Sequence, residues 1–384
     1  MRSPLRPLRV LLAAAGLALA FHTVAHAQPI RLATIVELSG AGATSGTNFK
    51  NGVELAIKEI NATGGILGRK IETSVADTQS NPGVAKGLAT KAVDDDVFAV
   101  FGPVFSGSIL VSMAETRRAE IPNFTGGEAA AITKQGNPYI FRTSFTQDTA
   151  MPKVARYVAA NLKAKTVALI YVNNDFGKGG REALSKALEP LGVKVVADIS
   201  TDQSQVDFSA AVLKAKQSNA DVVFVYTNEE EAARALRELR KQGVAKPIVG
   251  ETVLTSQKVI ELAGDAANGA VAHVGLTVDA PLASVRAFRA RFEKEYKYVC
   301  DHNGVKGYTG VFILKAAIEK VGKLDRKLVA HALHGLAISA AQQPGVLMDV
   351  RVDANGDLDR ESFLTEARNG KQEIKEILPA LGAK

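Results

Sequence analysis

The chain has 384 residues, 23% of them charged and 6% aromatic, and its 47 Lys and Arg against 40 Asp and Glu give a formal charge of +7. There is no dense basic block and aromatics are sparse, which argues against nucleic acid as a partner. Cys300 is the sole cysteine. An intramolecular disulfide and a zinc site built on several cysteines are therefore excluded, and the fold has to rest on a large apolar core shared by two domains of ordinary size.

The first segment reads as a leader. Arg2, Arg6 and Arg9 precede an uncharged apolar run from Val10 to Phe21, and Ala25-His26-Ala27 offers the small-x-small pattern of a cleavage site. The run is short for a membrane span of ~20 residues. A signal peptide over residues 1–27 and a mature start at Gln28 are predicted, so the protein is expected to be exported. Losing three arginines and no acids lowers the charge to 44 − 40 = +4.

From there apolar strands alternate with amphipathic helices. Strands are predicted at Ile30–Val36, Ile71–Ala76, Phe98–Phe101, Thr166–Tyr171, Val193–Ala197, Val222–Tyr226, Pro247–Gly250 and Ala270–Val274. Runs such as TVALIY and DVVFVY are continuously apolar, the pattern of parallel strands covered on both faces. Helices are predicted at Asn48–Asn61, Pro82–Asp94, Ser108–Ala119, Ala150–Leu162, Gly180–Leu188, Phe208–Gln217 and Glu230–Lys241. This alternation points to α/β sheets with right-handed crossovers. Phe141–Asp148 and Val274–Pro281 lack helical pattern and are expected to cross between lobes. Phe363–Ala367 and Ile374–Leu378 are expected to return as strands.

Two glycine-rich breaks carry the chemistry. In AVFGPVFSGSILVSMAE (Ala99–Glu115) a strand breaks at Gly102-Pro103 and a helix begins near Ser106-Gly107-Ser108. A serine nucleophile there needs a base and an orienting group, and the G-x-S-x-G elbow is absent. The alternative is an anion cradle, in which the free N–H groups and positive dipole end of the helix meet a carboxylate and Ser106 and Ser108 add hydroxyls. PNFTGGEAA (Pro122–Ala130) brings the amides of Gly126 and Gly127 to the same crevice, outside the strand C-termini. Either stretch taken alone is also satisfied by an ordinary helix cap or turn. His331 and His334 in HALHG lack a third ligand at metal spacing. DANGDLD (Asp353–Asp359) fits a hairpin turn at Asn355-Gly356 better than a calcium loop. NATGGILGRK (Asn61–Lys70) lacks Walker spacing and reads as a helix stop at Gly64-Gly65. No cofactor and no metal are expected.

The order of several longer stretches resembles the periplasmic solute-binding proteins of branched-chain amino-acid (Leu/Ile/Val-type) ABC transporters. They are LSGAGATSGTNFKNGVELAIKEINATGGILGRKIE (Leu38–Glu72), DTQSNPGVAKGLATKAV (Asp77–Val93), VFGPVFSGS (Val100–Ser108), YVNNDFGKGG (Tyr171–Gly180), DFSAAVLKAK (Asp207–Lys216) and GYTGVFILKAAIEK (Gly307–Lys320). The resemblance runs from about Ile30 to the C-terminus. It implies the type I periplasmic-binding fold: two Rossmann-like α/β lobes with mainly parallel sheets joined by three crossovers. The lobes are expected over residues 28–145 with 278–360, and 146–277 with 361–384.

By resemblance, Ser106 holds the ligand's α-carboxylate with neighbouring amides and Gly127 makes a backbone contact. Phe176 and Asn228 close over the ligand from the second lobe. Glu251 pairs with an α-ammonium group, and Ser45 faces the ligand side chain. One departure stands out: Ala129 occupies a position where amino-acid binders of this family usually have Thr or Ser, with Glu128 beside it. Either Glu128 or Glu251 supplies the negative charge, or the ligand is not an α-amino acid, since relatives also take aromatic carboxylates, amides and urea. The resemblance further implies a non-enzymatic, monomeric receptor in the periplasm that delivers a small ligand to permease subunits. A sensor feeding a signalling partner is the alternative.

Overall fold

The computed structural model describes residues 28–380. The predicted leader and the last four residues of the chain, Leu381 to Lys384, lie outside the described residues.

Five strands form the first sheet: β1 (Ile30–Val36), β2 (Ile71–Asp77), β3 (Ala99–Phe101), β4 (Asn123–Thr125) and β5 (Ile140–Arg142), in the order β2-β1-β3-β4-β5. Every pairing in it is parallel. The second sheet is built from β6 (Thr166–Val172), β7 (Lys194–Thr201), β8 (Val222–Tyr226), β9 (Ile248–Glu251) and β10 (Val271–Val274). It is completed by β14 (Ser362–Arg368) and β15 (Lys371–Leu378), in the order β15-β14-β10-β9-β8-β6-β7. β14 and β15 form an antiparallel hairpin, as their tight turn at Asn369-Gly370 requires, and β14 also pairs antiparallel with β10. A small antiparallel sheet holds β11 (Ala337–Ile338), β12 (Val350–Val352) and β13 (Leu358–Asp359). The chain thus passes between the two large sheets three times: after β5, after β10, and from β13 to β14.

The apolar runs behave as doubly covered strands should. In β8, Val223 and Val225 join one core cluster while Val222, Phe224 and Tyr226 join the cluster on the opposite face. In β1, Ala33 and Ile35 pack with Ala89 and Ala92 of helix α2 (Pro82–Asp94). Leu32 and Val36 meet the larger cluster built by helices α1 (Ala43–Ala62) and α10 (His302–Val321). Each fully buried Leu, Val or Phe in these layers adds about 1.5–3 kcal/mol.

The differences from the sequence reading have local causes. Strands β4 and β5 span three residues each, too few for any periodicity to show. They exist because Asn123 and Thr125 register against Ile140 and Arg142. Helix α1 starts at Ala43, ahead of the predicted Asn48. The intervening ATSGT carries no apolar stripe, yet it packs so closely on the end of β1 that a Cβ on Gly46 would lie 1.9 Å from the Glu37 carbonyl oxygen. Helix α5 (Asp175–Leu188) starts five residues ahead of the predicted Gly180. Asn174 caps it by accepting from the Gly177 amide at 3.0 Å, although the glycines that follow lower helix propensity. Gly180 is there for space, because a Cβ would lie 2.0 Å from Tyr226 Cε1. The predicted turn at Asn355-Gly356 is present, with the Asp353 carboxylate accepting from the amides of Asn355 (2.7 Å) and Asp357 (2.9 Å).

Candidate functional site

Both lobes converge on a cavity of about 130 Å³ outside the C-terminal ends of the strands. On the first-lobe side, β3 leads into helix α3 (Ser106–Arg118). The Glu37 carboxylate fixes the turn by accepting from the amides of Val104 (3.0 Å) and Phe105 (3.2 Å). The first-turn N–H groups of α3 have no carbonyl within the helix to meet, and Ser106, Gly107 and Ser108 line the cavity. The predicted helix start near Ser106 is therefore a helix N-terminus facing a small cleft, with the dipole sign that suits an anion.

Gly126, Gly127 and Glu128 line the same cavity. Their amides are not all free, as a cradle would need. Gly126 N–H donates to the Pro103 carbonyl at 3.2 Å, Gly127 N–H reaches Thr125 Oγ1 at 3.4 Å, and Ala129 N–H donates to Ser106 Oγ at 3.3 Å. This turn braces the wall, and the open donors belong to α3. Arg142 braces it from behind, donating to the carbonyls of Gly127 and Ala129.

The second lobe supplies the facing wall. Phe176, the second residue of α5, stacks on Tyr226 with ring centroids 4.2 Å apart. Helix α7 (Glu229–Lys241) starts at its N-cap Asn228, whose N–H donates to Glu231 Oε2 at 2.9 Å. Asn228 lines the cavity, and its buried Nδ2 has no partner within hydrogen-bond geometry among the described residues, the Glu231 carboxylate being the nearby acceptor. Ser45 of α1 also lines it and donates to Glu229 Oε1 at 2.7 Å, so the lobes touch across the cleft.

Of the sequence-selected residues, Ser45, Ser106, Ser108, Gly126, Gly127, Glu128, Phe176 and Asn228 all line this cavity. Glu251 stands behind it at the end of β9, its Oε1 accepting from Thr252 Oγ1 at 2.5 Å and lying 3.2 Å from His273 Nδ1. Glu128 does reach the cavity but already has a cation. Lys306 Nζ lies 3.0 Å from its Oε1 and also donates to the Gly126 carbonyl at 3.2 Å. Tyr226 OH sits 3.4 Å from Glu128 Oε2 and accepts from Gln147 Nε2 at 3.1 Å. Burial, reinforced by the nearby Glu251 carboxylate, pushes the Glu128 carboxyl up to about 7 against the opposing pull of Lys306. Burial also raises Glu251 and Glu229, the latter opposed first by its hydrogen bond from Ser45.

Lys306, Glu229, His302 and Asn303 line the cavity and were not singled out from sequence. A signal for Lys306 existed. It is the single charge between His302 and Leu314, in a helix opening rich in Gly, Val, Tyr and Phe. A buried helix with one lysine must pair it.

The sequence profile of the family described as periplasmic binding protein matches residues 29–372. The chain belongs to that family. Among similar members, the Leu/Ile/Val-binding protein BraC3 of Rhizobium johnstonii is 30% identical over 93% of this chain and 96% of its own length. The leucine-, isoleucine-, valine-, threonine- and alanine-binding protein of Pseudomonas aeruginosa is 27% identical over 80% of this chain and 82% of its own. Among solved structures, the branched-chain amino acid transporter substrate-binding protein LivJ of Streptococcus pneumoniae, in complex with isoleucine, superposes with a TM-score of 0.83 at 26% identity. That match covers 91% of this periplasmic binding protein and 99% of LivJ. A solute-binding protein of an ABC transporter from R. palustris, in complex with benzoate, shares the fold with a TM-score of 0.84 at 22% identity, over 93% and 98% of the two chains.

Proposed function

We propose that this periplasmic binding protein is the extracytoplasmic receptor of an ABC importer, capturing a small carboxylate-bearing solute between its lobes. The observation that carries this reading is the pairing of two walls. The α3 N-terminus at Ser106 offers unpaired amides on the first lobe, and Phe176, Asn228 and Glu229 close against it from the second. The ligand carboxylate docks on the α3 N-terminus with Ser106 Oγ. Hinge closure then excludes water and strengthens those buried hydrogen bonds. The closed, monomeric receptor presents a surface to permease subunits at the inner membrane, which carry out uptake; the receptor itself performs no catalysis. The similarity to Leu/Ile/Val-binding relatives favours an apolar amino acid. A second reading, an aromatic carboxylate, is favoured by the rings of Phe105 and Phe176 in the lining.

The test is calorimetric titration of the exported protein, refolded free of any retained ligand, with leucine, isoleucine, valine, phenylalanine, their deaminated acids, and benzoate. At least one compound is expected to bind, and Ser106→Ala is expected to weaken it about 10- to 150-fold, the loss of one hydrogen bond to a charged group. Absence of binding across the whole series would overturn the reading. Binding of benzoate alone would select the second one.

A further inference from the structure

Two glutamates from different sheets meet behind the cleft. Glu128 follows β4 of the first sheet, and Glu251 is the last residue of β9 in the second. They are 7% and 2% exposed, and their carboxyl groups lie in hydrogen-bonding contact with each other. Lys306 Nζ lies 3.0 Å from Glu128 Oε1 and Tyr226 OH 3.4 Å from Glu128 Oε2, while Thr252 Oγ1 and His273 Nδ1 engage Glu251 Oε1. Glu251 Oε2 is buried and has no donor among the described residues, which leaves it to the contact with Glu128. Two carboxylates cannot hydrogen-bond each other, because an ionised carboxylate only accepts. One proton between them turns repulsion into a bond.

The surrounding charges do not remove that need. Lys306 of α10 acts on three carboxyls at once, those of Glu128, Glu251 and Glu229 of α7. His273 of β10 adds no charge at neutral pH, since burial and then Lys153 of the helix α4 (Gln147–Arg156) lower it to about 3. Tyr226 of β8 keeps its proton, its hydroxyl raised by burial and by both glutamates. Asp301, the N-cap of α10, adds another acid on the side of Glu229 and is raised to about 7, first by burial and then by Glu229. One ammonium therefore faces more acid than it can balance.

We infer that Glu128 and Glu251 form a carboxyl–carboxylate pair that shares one proton between the lobes, so that closing the cleft takes up a proton and the hold on the solute tightens as the surroundings acidify. The proton comes from solvent on closure and returns to it on opening. The coupling to solute rests on the receptor reading above, whereas the shared proton does not. Burial and then the neighbouring Glu251 raise Glu128 to about 7 in this closed arrangement, against the ordinary glutamate value of 4.5 to which an open, hydrated cleft returns it. The stabilisation of the closed form is thus fully present below the lower value and is lost as pH rises through the upper one. Affinity should change at most about tenfold per pH unit inside that window and level off above it.

The experiment is calorimetric titration of the exported protein, freed of retained ligand, with leucine, isoleucine, valine, phenylalanine, their deaminated acids and benzoate. Buffers of different ionisation enthalpy give the protons taken up per solute bound, after correction for each compound's own titration. Wild type should take up close to one proton at about pH 6 and almost none at about pH 8, with affinity about tenfold tighter at the lower pH. In Glu251→Gln the new amide donates to Glu128 without a proton, so the uptake should vanish and the affinity ratio fall to about one. No uptake in wild type would overturn the inference. Uptake that persists in folded Glu251→Gln would assign the proton to Glu229 or Asp301 and would also overturn it. Should thermal unfolding show that Glu251→Gln does not fold, Glu128→Gln is judged by the same criterion. If no compound of the series binds, the receptor reading falls and infrared spectroscopy of the ligand-free protein decides the pair: a protonated-carboxyl band that Glu251→Gln abolishes supports it, and the absence of such a band overturns it.

Discussion

Two arginines are buried to nearly the same degree in this protein, and their surroundings are opposite. Arg142, 1% exposed at the end of β5, donates from Nε to Asp357 Oδ1 at 2.6 Å, and from its remaining nitrogens to the carbonyls of Gly127 and Ala129 and to Thr133 Oγ1. Arg360, 3% exposed in the passage from β13 to β14, has no hydrogen-bond partner for Nε or either Nη among the described residues, and its guanidinium lies 5.9 Å from the centroid of the Phe145 ring. Burial alone pushes it down to about 9. The first guanidinium ties the small sheet's turn to the ligand wall. The second sits where the lobes are joined, its charge eased only by an aromatic face. A buried charge stabilises a fold when its partners are complete and strains it when they are not.

That contrast can be broken most directly at Arg142. Arg142→Met removes the cation paired with Asp357 and one donor each from the carbonyls of Gly127 and Ala129, which keep Ser144 Oγ and the Ile132 N–H, and should cost about 3–5 kcal/mol in equilibrium unfolding. It should also weaken ligand binding, because the wall it braces loses its support. A cost below about 1 kcal/mol would mean that the network is not rigid. At Arg360 the sign should reverse. Arg360→Met removes an unpaired charge and should leave stability unchanged or raise it by about 1–4 kcal/mol, and a clear loss by chemical denaturation would show that the guanidinium has partners in solution.

A third buried base sharpens the comparison because it can discharge. His273, 1% exposed on β10, has no partner for Nε2 among the described residues, and its pKa is lowered to about 3, chiefly by burial and then by Lys153. At neutral pH it is uncharged, so it strains nothing there. Between its unfolded value near 6.5 and about 3 the unfolded chain binds the extra proton, so this contribution is fully present above pH 6.5 and is lost as pH falls toward 3, by at most about 1.4 kcal/mol per pH unit. His273→Phe should therefore flatten the acid limb of a stability–pH profile, with the change at pH 7 limited to the lost contact with Glu251 Oε1. An unaltered acid limb would place the imidazole in contact with water.

Much of this architecture was legible in order and composition. Continuous apolar runs such as VVFVY and TVALIY read as strands covered on both faces, and they are interior strands of the second sheet. Part of the cavity lining was legible too: Ser106, Ser108, Gly126 and Gly127 stand at glycine breaks and a polar helix start after strands, whereas Ser45, Phe176 and Asn228 were placed by resemblance. Lys306 and Glu229 were missed for one reason: a charged residue on a helix reads as solvated until the neighbouring element is known. Glu251 was selected by resemblance, but nothing in local pattern tells whether a side chain at the end of a strand points into a cleft or behind it.

The sequence by itself determined the alternation of strand and helix as far as β10, because that follows from residue period within a few neighbours, but not where α1 and α5 begin or that the three-residue strands β4 and β5 exist. Only the tertiary structure decided which acid meets which partner. Lys306 meets Glu128 across 178 positions and Ser45 meets Glu229 across 184, and the free energy of a buried charge is fixed by partners that only chain packing brings together.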